Sequence, residues 1–485
     1  MRFKISLTFF TLISLNIWGQ NFDSTKVEKS PSPAIEKTEY QKTVDVFKRG
    51  IRLDLNQDKT SYFKFILGMQ SWWRYGETNP GSINKITEEP MDHFSDFAMR
   101  RIRTMFYLNV ENKYLLFAQI GATSDGTYSD IYQNVYVHDF QGQIRIAPKN
   151  YFGSGIHFWQ GLSRLSRVGS NNYLILDNPG FNFPEVNRTD AIVRQMGVFF
   201  RGVTLGKLGY QISLNKPLIT ADAGAPSISG KPMSKTEMLG FANSPTPPSG
   251  VKEGETYLLK QTNYNYNGYF YWQFWDIESQ SVSGASQMNY FGQKRVFNIG
   301  AGFQYQPGGT ATYIKDVNND WALQENDITK VAVDAFLSLP LGHKGGGITA
   351  YGVYYNYQYG DNYLRNANVL GGFASGGDSP QGAGFAFYSH GTGHIFHTEL
   401  AYTLPETIYN SEKKIQPYVG LSWKDLEGLD EASWHGDFGV NWAIIGQNVK
   451  VTANYSLRPV YMIQDNKNTV DHHAGLFIAQ LQLRI

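Results

Sequence analysis

The last ten residues of the chain, LFIAQLQLRI (residues 476–485), alternate between apolar and polar side chains. Every second residue from Phe477 onward is apolar, and Gln480, Gln482 and Arg484 lie between them. Successive side chains of a strand point to opposite faces, so the pattern predicts a two-faced strand. The apolar face would pack on a core in a soluble sheet. In an outer-membrane barrel it would contact lipid, and the polar face would line a wet interior.

Similar two-faced runs recur along the chain from Tyr62 onward. In the first of them, YFKFILGMQSWWRY, Phe65 and Leu67 lie on one face, and Lys64 and Gln70 lie on the other. Counting this run, the pattern predicts about sixteen strands. After the run at Tyr62 they cover residues 97–110, 113–121, 131–147, 150–160, 190–202, 206–216, 263–276, 294–306, 328–340, 347–359, 393–404, 414–424, 436–445, 449–459 and 472–485.

The connections between these runs fall into two classes. Short ones lie near residues 111–113, 203–205, 342–346 and 446–448, and long ones near 76–95, 161–189, 217–262, 306–327, 360–392 and 460–471. Bacterial barrels have short periplasmic turns and long extracellular loops. A sixteen-strand meander that starts in the periplasm puts every long connection outside, provided that Tyr151–Gln160 is a strand. Residues 276–293 are long for a periplasmic turn, and the pattern does not explain them.

The amino terminus has the layout of a secretory signal peptide. Arg2 and Lys4 precede a mostly apolar run from Ile5 to Trp18, and the small residue Gly19 follows. A membrane anchor is the alternative, but the run is shorter than the roughly 20 apolar residues that a spanning helix needs. We therefore predict a signal peptide at 1–19, a polar periplasmic lead-in at 20–57 and one outer-membrane β-barrel at 58–485.

Composition supports a barrel and excludes several other classes. Aromatic residues make up 15% of the chain and there are 49 glycines, yet the mean hydropathy is only −0.36, as expected when half of each strand faces water. The absence of cysteine excludes disulfides and cysteine nucleophiles. Loss of the signal peptide changes the net charge from +1 to −1, so no basic excess points to nucleic acid. An aromatic-rich soluble β-sandwich with a sugar-binding face is the competing fold, but it would rarely need sixteen meander strands.

Five stretches carry a family resemblance. They are FAMRRIRTMFYLNV (97–110), RQMGVFFRGVTLGKLGYQISL (194–214), FNIGAGFQYQP (297–307), IQPYVGLSWKDLEGL (415–429) and GVNWAIIGQNVKVTANYSLRP (439–459). In this order they resemble the Arg-Arg-x-Arg strand, the following hairpin and the C-terminal half of the phosphate-selective porin O/P family. The resemblance covers about residues 95–215 and 294–485. It implies a sixteen-strand porin in the outer membrane of a Gram-negative bacterium, often trimeric and in contact with lipid and lipopolysaccharide, that passes small solutes passively.

The strand at 97–110 supplies the first candidates for the pore lining. A charge on the lipid-facing side would cost about 2–4 kcal/mol near the bilayer midplane, so charged residues should face inward. Arg100 falls on the apolar stripe and is expected near an interface or shielded. By this reasoning the candidate pore-lining residues are Arg101, Arg103, Tyr107, Asn109, Arg145, Lys450 and Arg458.

The long connection at 161–189 is the candidate constriction loop, folded into the pore. Its charged candidates, with the residue that follows it, are Arg164, Arg167, Asp177, Glu185, Arg188 and Asp190. Opposed rows of cations and anions would create a transverse field that favours small polar solutes. The alternative is an ordinary surface loop with scattered charges.

These features predict a general diffusion porin for small hydrophilic or anionic solutes, with at most a mild anion preference from the inward arginines. The prediction includes no enzyme activity, cofactor or metal. One rival is a plugged barrel that acts as an adhesin or as a scaffold for a surface secretion or attachment complex. A second rival is a barrel lipid hydrolase, which needs a serine and a histidine paired on the barrel wall. No sequence motif marks such a pair.

Overall fold

The computed structural model describes residues 47, 50–122, 135–157, 161–182, 194–217, 236, 238, 253–259, 263–279, 284–342, 345–367, 371–406 and 413–485. The predicted signal peptide and most of the predicted lead-in lie outside these residues. Glu185, Arg188 and Asp190 of the candidate constriction loop also lie outside them. None of the helical residues that the structure describes belongs to a helix long and apolar enough to cross a membrane.

The described residues form strands connected by turns and loops. The strands are β1 (Ile51–Asp54), β2 (Tyr62–Glu77), β3 (Ser82–Asn84), β4 (His93–Val110), β5 (Tyr114–Ala122), β6 (Tyr136–Ala147), β7 (Asn150–His157), β8 (Gln195–Thr204), β9 (Leu208–Pro217), β10 (Thr256–Leu258), β11 (Asn265–Gln273), β12 (Val296–Lys315), β13 (Trp321–Leu341), β14 (Gly346–Gln358), β15 (Leu364–Ala367), β16 (Ala374–Gly376), β17 (Phe387–Gly391), β18 (Gly393–Thr403), β19 (Lys414–Leu426), β20 (Ser433–Ile445), β21 (Val449–Gln464) and β22 (Lys467–Arg484). Short 3-10 turns occupy Leu165–Arg167 and Gly180–Asn182.

Sixteen of these strands form one closed antiparallel barrel. In order, β2, β4, β5, β6, β7, β8, β9, β11, β12, β13, β14, β18, β19, β20, β21 and β22 each pair with the next. The pairing of β22 with β2, where Ala479 lies opposite Trp73, closes the ring. Each predicted strand has its counterpart, including Tyr151–Gln160 in β7. The predicted fold class, an all-β antiparallel barrel of about sixteen strands, is confirmed.

The prediction of long loops is wrong at two positions, where the structure has paired strands joined by short turns. At 306–327, β12 and β13 continue to a turn of residues 316–320, and the Pro-Gly-Gly sequence after Gln306 forms a bulge within the paired strands. At 460–471, β21 and β22 meet at Asp465 and Asn466, whose positive φ angles of 50° and 62° make a tight two-residue hairpin turn. Pro, Gly, Asn and Asp suggested loops here, but pairing with the neighbouring strand keeps the backbone extended.

The side chains of the barrel strands alternate between an apolar outer surface and a buried interior. On β22, Leu481 is 39% exposed, whereas the neighbouring Gln482 is 1% exposed. On β18, Phe396 and Leu400 are exposed, and Glu399 is buried. An apolar outer surface around a closed barrel is what a barrel in contact with lipid requires.

The interior contains a packed aromatic core, which the alternating pattern did not predict. β14 turns Tyr351, Tyr355 and Tyr357 inward, and these rings belong to one buried cluster with Leu165 and Phe181. A lumen that held only water would leave such rings accessible. Parts of the chain between the strands must therefore fold into the barrel and cover them.

Residues 371–391, called here the outer segment, pack inward at the end of the barrel that carries the long connections. The ring of Phe373 stacks on Phe94 of β4 with centroids 3.8 Å apart. The Asn79 side-chain amide donates to the Ala386 carbonyl at 2.8 Å. The outer segment is therefore fixed to the connection between β2 and β4.

Candidate functional site inside the barrel

Residues 161–182, called here the inner segment, lie inside the barrel. The Ser163 hydroxyl is 2.8 Å from the hydroxyl of Tyr355 on β14. On another part of the wall, the side-chain amide of Gln70 on β2 donates to the Ser170 carbonyl at 3.1 Å. The segment is thus held by two separate parts of the wall, as expected for an infolded loop rather than a surface loop.

A second element, residues 284–293, enters the barrel from the end with the short turns and is called here the inner turn. Its Ser286 N–H donates to the Arg167 carbonyl at 2.8 Å, and Ser286 forms a parallel bridge with Val168. Met288 is fully buried in the same core as the inner segment. The length of 276–293, which the sequence pattern left unexplained, allows this second infolding.

A buried ion pair connects the inner segment to the β11–β12 connection. The Arg164 guanidinium contacts both oxygens of Glu278, with Nη1 to Oε2 at 2.8 Å and Nη2 to Oε1 at 2.5 Å. It also lies 3.7 Å above the ring centroid of Phe336. Arg164 is therefore paired and does not supply the open charge in a transverse field that the sequence suggested.

The same pair controls the ionisation of Glu278. Burial alone would raise the pKa of the Glu278 carboxyl, but the Arg164 guanidinium and hydrogen bonds from Tyr290 and Asn298 outweigh it and lower the pKa to about 2. Glu278 is therefore a carboxylate at neutral pH, and the pair stays charged on both sides.

Two adjacent arginines of β4 hold one carboxylate of the inner segment. Arg100 Nε and Arg101 Nη2 donate to the two oxygens of Asp177, each at 2.7 Å. Adjacent residues normally point to opposite faces, but the pairing of β4 with β2 shifts after Gln70, and Arg100 is the extra residue of a β-bulge. The bulge turns both arginines inward, so the expected shielding of Arg100 comes from the barrel interior.

A cavity of about 410 Å³, called here the lower cavity, lies between the inner segment and the wall on the side of the short turns. Asp139 is the single acidic residue among its described lining residues, and its carboxylate accepts from Arg194 Nε at 2.9 Å. The basic residues that line it are Arg52, Lys64, Arg101, Arg103, Arg194 and Arg484. The lower cavity is therefore strongly cationic.

A second cavity of about 120 Å³, called here the upper cavity, lies between the inner segment, the outer segment and strands β19 to β22 and β2. Asp177 lines this cavity, whereas its partner Arg101 lines the lower one. The Arg101–Asp177 ion pair therefore lies between the two cavities.

The predicted site residues are brought together only in part. Arg103 and Tyr107 line the lower cavity with Arg101, and Arg458 lines the upper cavity. Lys450 is buried inside the barrel but lines neither cavity. Arg167 is buried, and its Nη2 donates to the Gly284 carbonyl at 3.2 Å.

Two other candidates lie at the end with the short turns, away from the cavities. The side-chain amide of Asn109 donates to the Thr60 carbonyl at 2.8 Å, and Arg145 is exposed near the end of β6. The sequence reasoning missed Arg194 in the lower cavity and Lys424 in the upper one. The sequence could have indicated an inward position for Lys424, because this residue lies on the polar face of the two-faced run at 414–424.

Basic side chains predominate in the interior as a whole. Among the described residues, thirteen arginine and lysine residues are buried, against five aspartate and glutamate residues. The whole chain has a net charge of only +1, so the distribution of charge, and not its sum, distinguishes the interior.

No family model and no curated protein matches the sequence. Among solved structures, OprB of Pseudomonas putida is 8% identical, with 92% of this chain and 96% of that chain covered and a TM-score of 0.51. OmpF of Salmonella typhi is 9% identical, with 90% and 100% covered and a TM-score of 0.48. An anion-selective porin from Comamonas acidovorans is 7% identical, with 88% and 100% covered and a TM-score of 0.44. The likeness to OprB is one of fold. It does not confirm the phosphate-selective porin O/P family.

Proposed function

We propose that this chain is an outer-membrane channel for the passive diffusion of small hydrophilic solutes, with a preference for anions. The observation that carries the proposal is the lower cavity, a space of about 410 Å³ inside a closed barrel in which six cations face one acidic residue. Selectivity in such a channel comes from the charges that line the path and requires no chemical reaction.

The position of the cations favours anions in spite of the near-zero net charge. Only charges within about one Debye length of a passing ion, roughly 8 Å at physiological salt, act strongly on it. Charges on the lower cavity meet this condition, whereas most surface charges of the barrel do not. The inner segment and the inner turn narrow the interior, so the proposal is restricted to small solutes.

The proposed location and partners follow from the outer surface. The apolar outer surface of the barrel is compatible with insertion into the outer membrane, where lipid and lipopolysaccharide would be its neighbours. A homotrimer and membership of the phosphate-selective porin O/P family remain part of the proposal. For the family, the support is the Arg-Arg-x-Arg strand, whose Arg100, Arg101 and Arg103 are all buried inside the barrel.

Planar-bilayer conductance under a salt gradient tests the proposal. The parent should conduct and its zero-current potential should indicate chloride preference. Arg103→Gln should reduce that preference at low salt, because Arg103 lines the lower cavity. The matched control is Arg295→Gln, since Arg295 is 59% exposed and lines neither cavity. A folded barrel without conductance would favour the plugged adhesin or scaffold instead.

One observation favours a second candidate function, the hydrolysis of a small ester. His397 Nδ1 is 2.9 Å from the Ser422 hydroxyl, and its Nε2 is 3.1 Å from Glu399 Oε1. A hydrogen-bonded serine, histidine and carboxylate in this order can activate the serine as a nucleophile, and Ser422 lines the upper cavity. Because the serine faces the interior, bilayer lipid is a poor substrate for it.

Hydrolysis of p-nitrophenyl acetate by the purified barrel separates the two candidates. If the hydrogen bonds among Ser422, His397 and Glu399 only join β18 to β19, the parent and Ser422→Ala will show the same background rate of hydrolysis. A rate above background that Ser422→Ala abolishes would support the hydrolase.

A further inference from the structure

The upper cavity has an apolar wall on three sides. Trp72 and Ile478 face it from the barrel strands, and Leu176 from the inner segment. Phe385 and Phe387 face it from the outer segment. A molecule in this space would therefore place an apolar body between aromatic and aliphatic side chains, where removal of apolar surface from water is favourable.

A buried lysine faces the same space. Lys424 is 1% exposed, and its Nζ donates to the Tyr388 carbonyl at 2.6 Å. An ammonium can donate three hydrogen bonds, and this one forms no salt bridge with any described carboxylate. Removal of an ammonium from water is costly unless an opposite charge compensates for it.

Arg458 adds a second cation to this wall. It is buried and donates to the Asn79 side-chain oxygen and to backbone carbonyls, including that of Glu77 at 2.5 Å. Its Nε has no hydrogen-bond partner among the described residues. All of its described hydrogen-bond acceptors are neutral, and it forms no salt bridge with a described carboxylate.

The acids that line the upper cavity are already occupied. Asp177 is held by the two arginines of β4. Asp437 accepts hydrogen bonds from Asn454 at 3.0 Å and from Ser456, and lies 3.6 Å from His435 Nε2. Arg74, a third cation that lines the cavity, is likewise held by Asp96 at 2.7 Å. Lys424 is thus a cation that a ligand can reach without displacing a carboxylate.

We propose that the upper cavity binds a small organic anion with an apolar body, of the class of an aromatic or short branched monocarboxylate. The carboxylate would contact Lys424, and the body would pack between Trp72 and Phe387. The upper cavity measures about 120 Å³, somewhat less than the roughly 150 Å³ of a cavity that holds benzene, so it restricts the ligand to a small apolar body. The inference deepens the proposed channel function, on which it rests, by naming a solute class.

Calorimetric titration of the purified full barrel with three probes tests the site. Benzoate carries both the charge and the ring, acetate carries only the charge, and benzyl alcohol carries only the ring. Benzoate should bind at least tenfold more tightly than either of the others. Equal binding of all three probes would overturn the proposal.

Two variants separate the charge from the apolar wall. Lys424→Gln keeps a donor for the Tyr388 carbonyl and should weaken benzoate binding by about tenfold or more, the usual effect of a lost hydrogen bond to a charged group. It should leave benzyl alcohol binding unchanged. The centroid of the Phe387 ring lies 5.0 Å from Lys424 Nζ, so Phe387→Leu should weaken benzoate and benzyl alcohol more than it weakens acetate. This variant tests the site even if Lys424→Gln does not fold.

The matched control is Lys330→Gln. Lys330 is also buried and donates to the Gln304 side chain at 3.1 Å, but it lines neither cavity. Benzoate binding should be the same in this variant as in the parent. If it falls as far as in Lys424→Gln, the effect is a general one and the proposed site is wrong.

Conductance of the same preparation distinguishes the two proposals. A conducting barrel that does not bind benzoate would overturn the site and leave the channel function intact. A barrel that binds benzoate through Lys424 but does not conduct would support the site and overturn the channel.

Discussion

Arg101 and Asp177 form an ion pair, 2.7 Å from Nη2 to Oδ1, that joins β4 of the wall to the inner segment. Arg101 lines the lower cavity and Asp177 lines the upper one. The pair therefore stands where a solute would have to pass from one cavity to the other. Loss of either partner changes both the charge and the contact at this position.

Asp177→Asn should increase the preference for anions. The substitution leaves Arg100 and Arg101 without their carboxylate, so a passing anion meets two cations. The zero-current potential under a salt gradient should move further toward chloride near 0.1 M salt than near 1 M, because the Debye length falls from about 10 to about 3 Å. Asp361→Asn, in an exposed turn after β14, is the control and should change nothing. A parent-like potential for Asp177→Asn would place the pair away from the ion path.

Glu278→Gln should destabilise the barrel. It leaves the Arg164 guanidinium buried without its counter-charge, for which a loss of about 3–5 kcal/mol in the free energy of unfolding is typical. Denaturant unfolding in lipid measures the change. The control is Asp276→Asn, because Asp276 lies 3.9 Å from Arg295 with both side chains exposed, and such pairs contribute at most about 1 kcal/mol. If both variants lost the same free energy of unfolding, burial would not explain the contribution of the Arg164–Glu278 pair.

The stability difference between the parent and Glu278→Gln should depend on pH. The pKa of Glu278 is about 2 in the folded barrel and about 4.3 in an unfolded chain, so the pair contributes fully above the unfolded value. The contribution should be constant from pH 7 to pH 5 and should fall as the pH approaches 2. Unfolding curves at a series of pH values measure it. A difference that grows on acidification would show that another group is responsible.

Adjacent residues on β5 should respond oppositely to the same substitution. Ile120 is exposed on the apolar outer surface, whereas Gln119 is buried and lines the lower cavity. Ile120→Glu puts a carboxylate against lipid, at a cost below the roughly 2–4 kcal/mol of a cation at the midplane. It should lower the yield of folded, heat-modifiable barrel, and Gln119→Glu should be tolerated. Equal yields would show that the two faces are wrongly assigned.

The barrel could be predicted because strand alternation is a local property. In LFIAQLQLRI the outer and inner faces can be assigned from ten residues, and Leu481 and Gln482 lie on the faces so assigned. The same holds for Arg101 and Arg103, which point inward as the lipid-facing penalty requires.

The arrangement of the interior could not be predicted in the same way. The inward position of Arg100 depends on a bulge, a shift of pairing between two strands that neither strand encodes alone. The Arg164–Glu278 pair joins residues 114 positions apart, and its geometry depends on two connections folding inward together. Alternation marked Lys424 as inward but contained nothing about the cavity that it faces.

The inner segment also restricts the order in which the barrel can assemble. The Gln482 amide donates to the Asn171 carbonyl at 3.1 Å, and the Asn441 amide donates to the Leu174 carbonyl at 2.8 Å. These contacts span about 300 positions, so they form only when the last strands reach the first. Because contacts of such long sequence separation are slow to form, we expect the inner segment to settle in the same step that closes β22 against β2. An assembly intermediate held open at that seam would then still admit solutes that the finished barrel excludes.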